Sequence, residues 1–381
     1  MTSDAASGSL PRKRRVRFIV LCLALLAGPF LAEGMLRWLL FSQSALAERL
    51  GARLREPSLF VASPNTDDYT TLFARFALGA RLQPGIPPYA DPELGWIGAE
   101  IDPRTYRHAA EERIAGRRPV LLYGSSFAGC AGHERGCFEE LLEDSELGER
   151  YGLLNYSVSG HGVDQNLLLL RKSVDLYAAR DPVVVLAFVL ESDMDRATLS
   201  YFTRPKPRFR ARDDGEFVLE PPDGLDLADY LERHPPSIRS YFWRYLVNSA
   251  VGPSLETRKR WEGELERRAE LEAVSEFLLR EFGRECSARG LEHFVLLFHT
   301  RAVLATPPQP GELEAHALMD ELGLPWIDSR EDVERALAQR SSSLEELYGT
   351  SSHPSALGTA VLFEALERGL ARLSTEARAD R

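Results

Sequence analysis

Residues Pro182–Leu190 read PVVVLAFVL, a run with no charged or polar side chain. It is too short for a typical helix and rich in β-branched residues, so it reads as a strand. It does not alternate apolar with polar, so both of its faces must be covered, as in a parallel sheet packed between helices. Four further short apolar runs fit the same sheet: Pro119–Tyr123, Leu153–Val158, His293–His299 and Pro325–Ile327. Helical patterns separate them. Phe138–Leu147 is one. Asp164–Ala179 carries Leu167, Leu170, Val174 and Tyr177 at helical spacing. A long charged helix from about Leu255 to Arg289 lines one face with Leu271, Val274, Leu278 and Phe282, and Gly290 sits where a C-cap belongs. Leu313–Leu322 and Pro354–Leu373 complete the set. Strands alternating with helices predict an α/β fold, a parallel sheet covered on both faces.

The remaining chain adds detail without changing the class. Asp91–Trp96 (DPELGW) is an ordered turn, and residues 206–220 are a hairpin turning at Asp213-Asp214-Gly215. A composition of 44% hydrophobic and 27% charged residues over 381 positions suits one large globular domain with appendages. The net charge of −11 excludes bulk nucleic-acid binding, so no nucleic-acid partner is expected. Four cysteines and eight histidines form no CxxC pair and no HExxH, so no metal site and no cofactor is expected. Cys130 and Cys137 are close enough in sequence to pair, or to remain two thiols; Cys286 reads as buried packing.

The N-terminus departs from this picture. Residues 1–17 include the basic cluster Pro11-Arg12-Lys13-Arg14-Arg15, and an apolar run from Phe18 to Ala32 follows. Glu33 interrupts the run, which then continues to Phe41. Taken together, 18–41 is long enough to span a bilayer, which needs ~20 residues. The basic flank holds the N-terminus in the cytoplasm. An uncleaved signal anchor is expected here, with a cleaved signal peptide as the competing reading. Either places the residues after 42 outside the cytoplasm, attached in the first case to the inner membrane by a single pass. Residues 42–118 then form a lead-in region packed on a domain of residues 119–375.

Ligands in open α/β sheets bind outside the carboxyl ends of the strands. Those ends carry Gly124-Ser125-Ser126, Ser157 to Gly162, Glu191-Ser192-Asp193 and His299-Thr300, and His353 joins them if its loop crosses the same edge. A nucleophilic serine needs a base, an exposed position and donors for an oxyanion. Ser126 fits if Gly124 permits a sharp turn and a helix starts there; the alternative is that Ser125 or Ser126 is simply an N-cap. The G-x-S-x-G elbow is not met, because position 128 is Ala. His299 reads as a structural histidine.

Three stretches resemble the SGNH (GDSL-like) hydrolases, particularly a bacterial membrane-anchored branch. These are Gly124-Ser125-Ser126, the segment Asn155 through Gln165, and Ser351-Ser352-His353-Pro354; the likeness covers about 119–205 and 350–373. Tyr201–Phe209 is also similar. The resemblance implies a flavodoxin-like three-layer α/β/α sandwich. It implies Ser126 as nucleophile, His353 as general base, and an oxyanion hole from the N–H groups of Ser126 and Gly160 with the side chain of Ser192. Ser125, His161 and Asp193 would contact substrate. The chain also departs from the family pattern. Ser192 stands where the family has Asn, Ser125 stands for the acid of GDS, and the acid that orients the histidine falls on Thr350 or Ser351. Asp328, Glu345 and Glu346 are other carboxylates within the same part of the chain. Two functions follow. One is a membrane-tethered esterase or O-acyltransferase acting on an envelope glycan or lipid ester. The other is a catalytically inactive binding or assembly protein of the cell envelope.

Overall fold

A computed structural model of the protein describes residues 12–61, 66–78, 89–131, 135–212, 214–248, 253–339, 342–349 and 353–379. Within them, the side chains of 12–19, 21–26, 77–78, 253–266 and 374–379 are not described. The chain divides into two compact units, one of Met1–Pro84 with His234–Gly263, the other of Gly85–Arg233 with Glu264–Arg381.

The first unit holds helices α1 (Arg12–Phe41), α2 (Ala45–Gly51), α3 (Asp67–Leu78) and α8 (Tyr241–Leu246). Its core is Leu36, Leu40, Phe60, Leu72, Phe76, Ile238 and Tyr241. Glu33, which breaks the apolar N-terminal run, caps α8. Its carboxylate accepts from Ser240 Oγ at 2.9 Å and from the N–H groups of Tyr241 and Phe242 at 3.2 and 2.8 Å. Beyond Glu33, Leu36 and Leu40 pack into this core, whereas Phe30, Leu31, Met35 and Trp38 are exposed. Among the described residues no helix is long and apolar enough to cross a membrane. Of the expected 18–41 anchor, the side chains of residues 18–19 and 21–26 lie outside that description.

In the second unit, strands β3 (Arg118–Tyr123), β4 (Tyr151–Asn155), β5 (Val183–Val189), β10 (His293–Phe298) and β11 (Trp326–Asp328) form one sheet, with every pairing parallel. The spatial order is β11-β10-β5-β3-β4. Counting only these five strands along the chain, that is 2-1-3-4-5, the flavodoxin-like order, whose direction reverses between the first and third strands. Successive residues go to opposite faces. Val184, Leu186 and Phe188 of β5 join one core with Leu167, Leu278 and Met319. Val183, Val185 and Val189 join the other with Phe138, Leu362 and Leu366. This two-sided burial is the physical reason PVVVLAFVL carries no alternation.

Helices α5 (Val163–Ser173), α9 (Pro253–Ala288) and α11 (Pro310–Glu321) supply the first face; α4 (Phe138–Asp144), α12 (Arg330–Gln339), α13 (Leu344–Tyr348) and α14 (Ala356–Ala379) supply the second. Shorter pieces are α6 (Asp193–Arg196), α7 (Leu227–Arg233) and α10 (Arg301–Leu304). Three two-stranded ribbons complete the unit: β1 (Tyr89–Asp91) with β2 (Gly95–Ile97), β6 (Tyr201–Phe202) with β7 (Arg204–Pro205), and β8 (Arg208–Ala211) with β9 (Phe217–Glu220). The Asp91–Trp96 turn is held by Asp91 Oδ1, which accepts from the N–H groups of Glu93 and Leu94, both at 2.8 Å.

Several sequence boundaries shift. The second strand ends at Asn155 rather than Val158, although the N–H groups of Tyr156 and Val158 still donate to Leu122 O and Gly124 O at 2.8 and 3.0 Å. The helix expected to reach Ala179 stops at Ser173 and gives way to 3₁₀ turns. Helices α12 and α13 lie where no helix was expected; both are short, and α12 is rich in charge.

Candidate active site

The direction of the sheet reverses between β3 and β5, and the ends of those two strands build the site. Ser126 does not open a helix. It stands on a hydrogen-bonded turn, in which Gly129 N–H donates to Ser125 O at 2.9 Å and Ala131 N–H to Ser126 O at 2.9 Å. The helix-start argument for Ser126 therefore falls, since its donors belong to a turn and not to a helix end. Gly124 is required by close approach: a Cβ there would meet Ala187 O at 2.8 Å and Ala128 Cβ at 2.7 Å. The turn lies hard against β5 for that reason. A disulfide between Cys130 and Cys137 closes the loop after it.

Ser126 Oγ lies 2.8 Å from His353 Nε2. The histidine is placed by the junction of α13 and α14. Ser355 N–H donates to Leu347 O at 2.7 Å, Ser355 Oγ to Glu346 O at 2.7 Å, and Gly358 sits so close that a Cβ would collide with Leu347 O. Burial lowers the His353 pKa, the nearby Arg196 cation lowers it further, and Asp193 opposes both. The imidazole is thus held neutral near pH 7, the form in which it accepts a proton.

Asp193 is the hub of the β5 exit, fully buried at the start of α6. Its Oδ2 accepts from Ser125 Oγ at 2.5 Å and from Val189 N–H at 2.9 Å. Its Oδ1 accepts from Ser192 Oγ at 3.1 Å and pairs with Arg196 at 2.6 Å. These bonds involve three residues that the sequence reading placed in the site. The Ser125 hydroxyl, expected as an N-cap or a substrate contact, ties the turn under Ser126 to Asp193. The Ser192 hydroxyl, expected in the oxyanion hole, donates to the same carboxylate. Asp193 itself, expected to touch substrate, has all of its described bonds to protein.

Gly160 has φ +85°, a left-handed backbone that favours glycine, and Trp96 and Phe202 close over it. The Arg196 guanidinium stacks 4.5 Å from the Phe202 ring. Sequence reading missed Arg196, although its i, i+3 spacing from Asp193 was the available signal. Lys206 fixes this wall from below: fully buried, its Nζ pairs with Asp164 at 2.5 Å and donates to the carbonyls of Arg196 and Leu199 at 3.1 Å each.

His161 is fully buried, with Nε2 2.9 Å from Trp96 O, and burial lowers its pKa to about 4. This contact ties the glycine turn to β2. His299 lies between two carboxylates, with Nδ1 2.7 Å from Glu191 and Nε2 2.9 Å from Asp328. Burial lowers its pKa, but these bonds outweigh that and raise it to about 9. His299, Glu312 and Asp328 are close enough together to hold a cation. Glu312, however, is bidentate to Arg330, and a charged His299 would repel a metal, so the donors do not suit one. The carboxylates considered for orienting His353 have other partners: Asp328 binds His299 and His316, Glu345 pairs with Arg301, and Glu346 caps α13 through Ser343. Thr350 and Ser351 lie outside the described residues.

No family profile matches the chain, and no curated protein matches it. Several solved structures are similar. The acetylxylan esterase Axe2 from Geobacillus stearothermophilus is 16% identical, with 66% of this chain and 93% of that one covered and a TM-score of 0.35. TesA is 15% identical, covering 67% and 99%, with a TM-score of 0.36. The acetyl xylan esterase AlAXEase is 12% identical, covering 66% and 98%, with a TM-score of 0.38. What the site does chemically is argued from its own geometry.

Proposed function

We propose that the protein is a serine esterase or O-acyltransferase working through Ser126 and His353. The observation that carries this reading is the 2.8 Å contact between Ser126 Oγ and His353 Nε2, with the histidine held neutral. In the proposed step, His353 Nε2 takes the Ser126 proton as Oγ attacks an ester carbonyl. The resulting oxyanion faces the N–H groups of Ser126 and Gly160. Collapse expels the alcohol, which takes the proton back from His353, and water or a second alcohol then releases the acyl group by the same route. With the Ser192 hydroxyl turned to Asp193, the oxyanion rests on backbone donors alone; removing one donor typically costs about 10²–10³ in rate. Slow turnover is therefore expected.

The substrate in this reading is an ester on an envelope glycan or lipid. Residues 18–41 anchor the chain in the inner membrane with the catalytic unit outside the cytoplasm, and the lipid-embedded part ends near Glu33, whose carboxylate is used in capping α8. Labelling of the full-length protein with a fluorophosphonate is the test. Ser126 should be modified, Ser126→Ala should abolish labelling, and Ser125→Ala should not. If Ser126 stays unlabelled where a control esterase reacts, the catalytic reading fails and the inactive binding protein replaces it.

A further inference from the structure

Exposed apolar surface is unevenly shared between the two units. Of the fifteen large apolar side chains exposed among the described residues, ten belong to the first unit, the smaller of the two. Single exposed leucines are ordinary, but a concentration of this kind marks a contact surface.

Helix α1 shows how that surface is built. Beyond Glu33 it has two apolar sides. Leu36 and Leu40, four residues apart, are buried in the core of the unit. Leu31, Met35 and Trp38, also at helical spacing, form a second stripe that faces out, with Met35 62% and Trp38 43% exposed. A helix lying on a protein surface in water carries polar residues on its outer side, and this stripe has none. The short helix α2 repeats the pattern. Leu46 and Leu50 lie one turn apart and are each 59% exposed, while Ala47 and Gly51 are buried. Arg49 and Arg53 stand beside the two leucines, both exposed and without an ion-pair partner among the described residues.

The Glu33 carboxylate sets the depth of these groups. It accepts the N–H groups that open α8, so α8 starts level with Glu33. Trp243 follows Phe242, whose N–H is one of those donors, and its ring is 64% exposed. It is therefore held where the uninterrupted apolar run of α1 ends. Trp38 lies further along the same helix, ~7.5 Å beyond Glu33 at the usual rise. The headgroup layer of a bilayer is about 5–8 Å thick on each side. Tryptophan is enriched there, because its ring is apolar and its N–H needs a polar partner. With Glu33 at the edge of the hydrocarbon, both tryptophans fall in that layer.

We propose that the first unit is seated in the headgroup layer of the membrane, with Trp38, Leu46, Leu50 and Trp243 against lipid and Arg49 and Arg53 toward its phosphates; the assignment rests on the 18–41 anchor reading above. The chain is then held by a surface as well as by a single helix. A second copy of the chain could also cover an apolar stripe. Arginines without ion-pair partners beside the leucines, and tryptophans at headgroup depth, favour lipid.

The test uses the full-length protein in vesicles of phosphatidylethanolamine and phosphatidylglycerol, with benzoylphenylalanine replacing one residue at a time. Ultraviolet cross-linking and mass spectrometry read the adducts. Positions 38, 46 and 243 should each give about fivefold more lipid adduct, or better, than position 313, an exposed leucine of the second unit. Position 30 reads the anchor itself. Lipid adduct at 30, with 38, 46 and 243 no higher than 313, overturns the seating and keeps the anchor. Adduct at 38, 46 and 243 but not at 30 keeps the seating and overturns the span. No adduct anywhere overturns both, and cross-links from these positions to a second copy overturn the proposal in favour of a dimer. A second measurement needs no cross-linker. Quenching of tryptophan fluorescence by brominated lipid should fall by about half or more in the Trp38→Phe/Trp243→Phe variant, and unchanged quenching overturns the proposal.

Discussion

Replacing Asp193 by Asn tests the organisation of the site more sharply than removing the nucleophile. The carboxylate takes four donors: Ser125 Oγ, Val189 N–H, Ser192 Oγ and Arg196. Asparagine keeps one oxygen. If that oxygen stays with Ser125 and Val189, the new amide N–H₂ points at Arg196, donor against donor, and the guanidinium loses its buried counter-charge. A hydrogen bond to a charged group is worth about 1.5–3 kcal/mol, and breaking a buried pair costs about 3–5 kcal/mol. Arg196 is only partly buried, so the lower end applies, and the variant should lose about 2–4 kcal/mol in urea unfolding. The same change carries a sign in the chemistry. Asp193 raises the His353 pKa and Arg196 lowers it. In Asp193→Asn the acid limb of the rate–pH profile, read by fluorophosphonate labelling, should move to lower pH; in Arg196→Gln it should move to higher pH. General loosening of the site would not produce opposite shifts. A stability loss under ~1 kcal/mol, or acid limbs moving the same way in both variants, would refute the reasoning.

Other outcomes follow from single features. His299 has a folded pKa of about 9, above the ~6.5 of an unfolded histidine, so its contribution is fully present below pH 6.5 and is lost as pH rises through 9. Urea unfolding should show a fall on the order of 3 kcal/mol between pH 7 and 10, and His299→Gln should flatten that fall. Removing the Cys130–Cys137 bridge with a double serine substitution should cost about 2–3 kcal/mol by the loop-closure relation, and dithiothreitol should lower the Tm of the parent but not of the variant. Gly160→Ala finds ordinary contacts at 3.4–3.5 Å to Trp96 and Phe202, so its cost is the backbone strain at φ +85°, about 1–2 kcal/mol, with labelling slowed by displacement of the Gly160 N–H. Ser125→Asp should destabilise increasingly from pH 4 to pH 8, because the introduced carboxyl faces Asp193 and its folded pKa must rise; a variant as stable as the parent at pH 8 would count against the assigned Ser125–Asp193 contact.

Much of the second unit was legible because burial on both faces leaves a compositional mark. The five strands were found from apolar runs alone, their exits pointed to Ser126, and the SGNH-like stretch Ser351–Pro354 pointed to His353, 227 positions away in sequence. The turn under Ser126 was not legible. A serine after a strand and a glycine looks the same whether a helix or a turn follows, and only the backbone bonds of Gly129 to Ser125 O and Ala131 to Ser126 O separate the cases. The roles of Ser125, Ser192 and Arg196 were hidden for a different reason. Ser125 reaches Asp193 only because β3 and β5 lie side by side, and for Ser192 and Arg196, local to Asp193, the sequence does not say which carboxylate oxygen each meets. Helices α12 and α13 escaped because they are short and, in α12, dominated by charge.

The two serines that depart from the SGNH pattern are not independent losses. Both hydroxyls donate to Asp193, one to each carboxylate oxygen, and Arg196 balances the charge. An acid at position 125 would bring a second carboxyl group against the first, whereas the serine there donates to Asp193. The same carboxylate draws the Ser192 hydroxyl away from the oxyanion. On the proposed reading, what remains for the transition state are the N–H groups of Ser126 and Gly160, the first on a turn packed on β5 and the second on a glycine in a left-handed conformation. Backbone donors so fixed need no reorganisation when charge develops. On the proposed reading, then, the missing side-chain donor slows the enzyme by a bounded factor, while the nucleophile and its base keep the geometry that the chemistry requires.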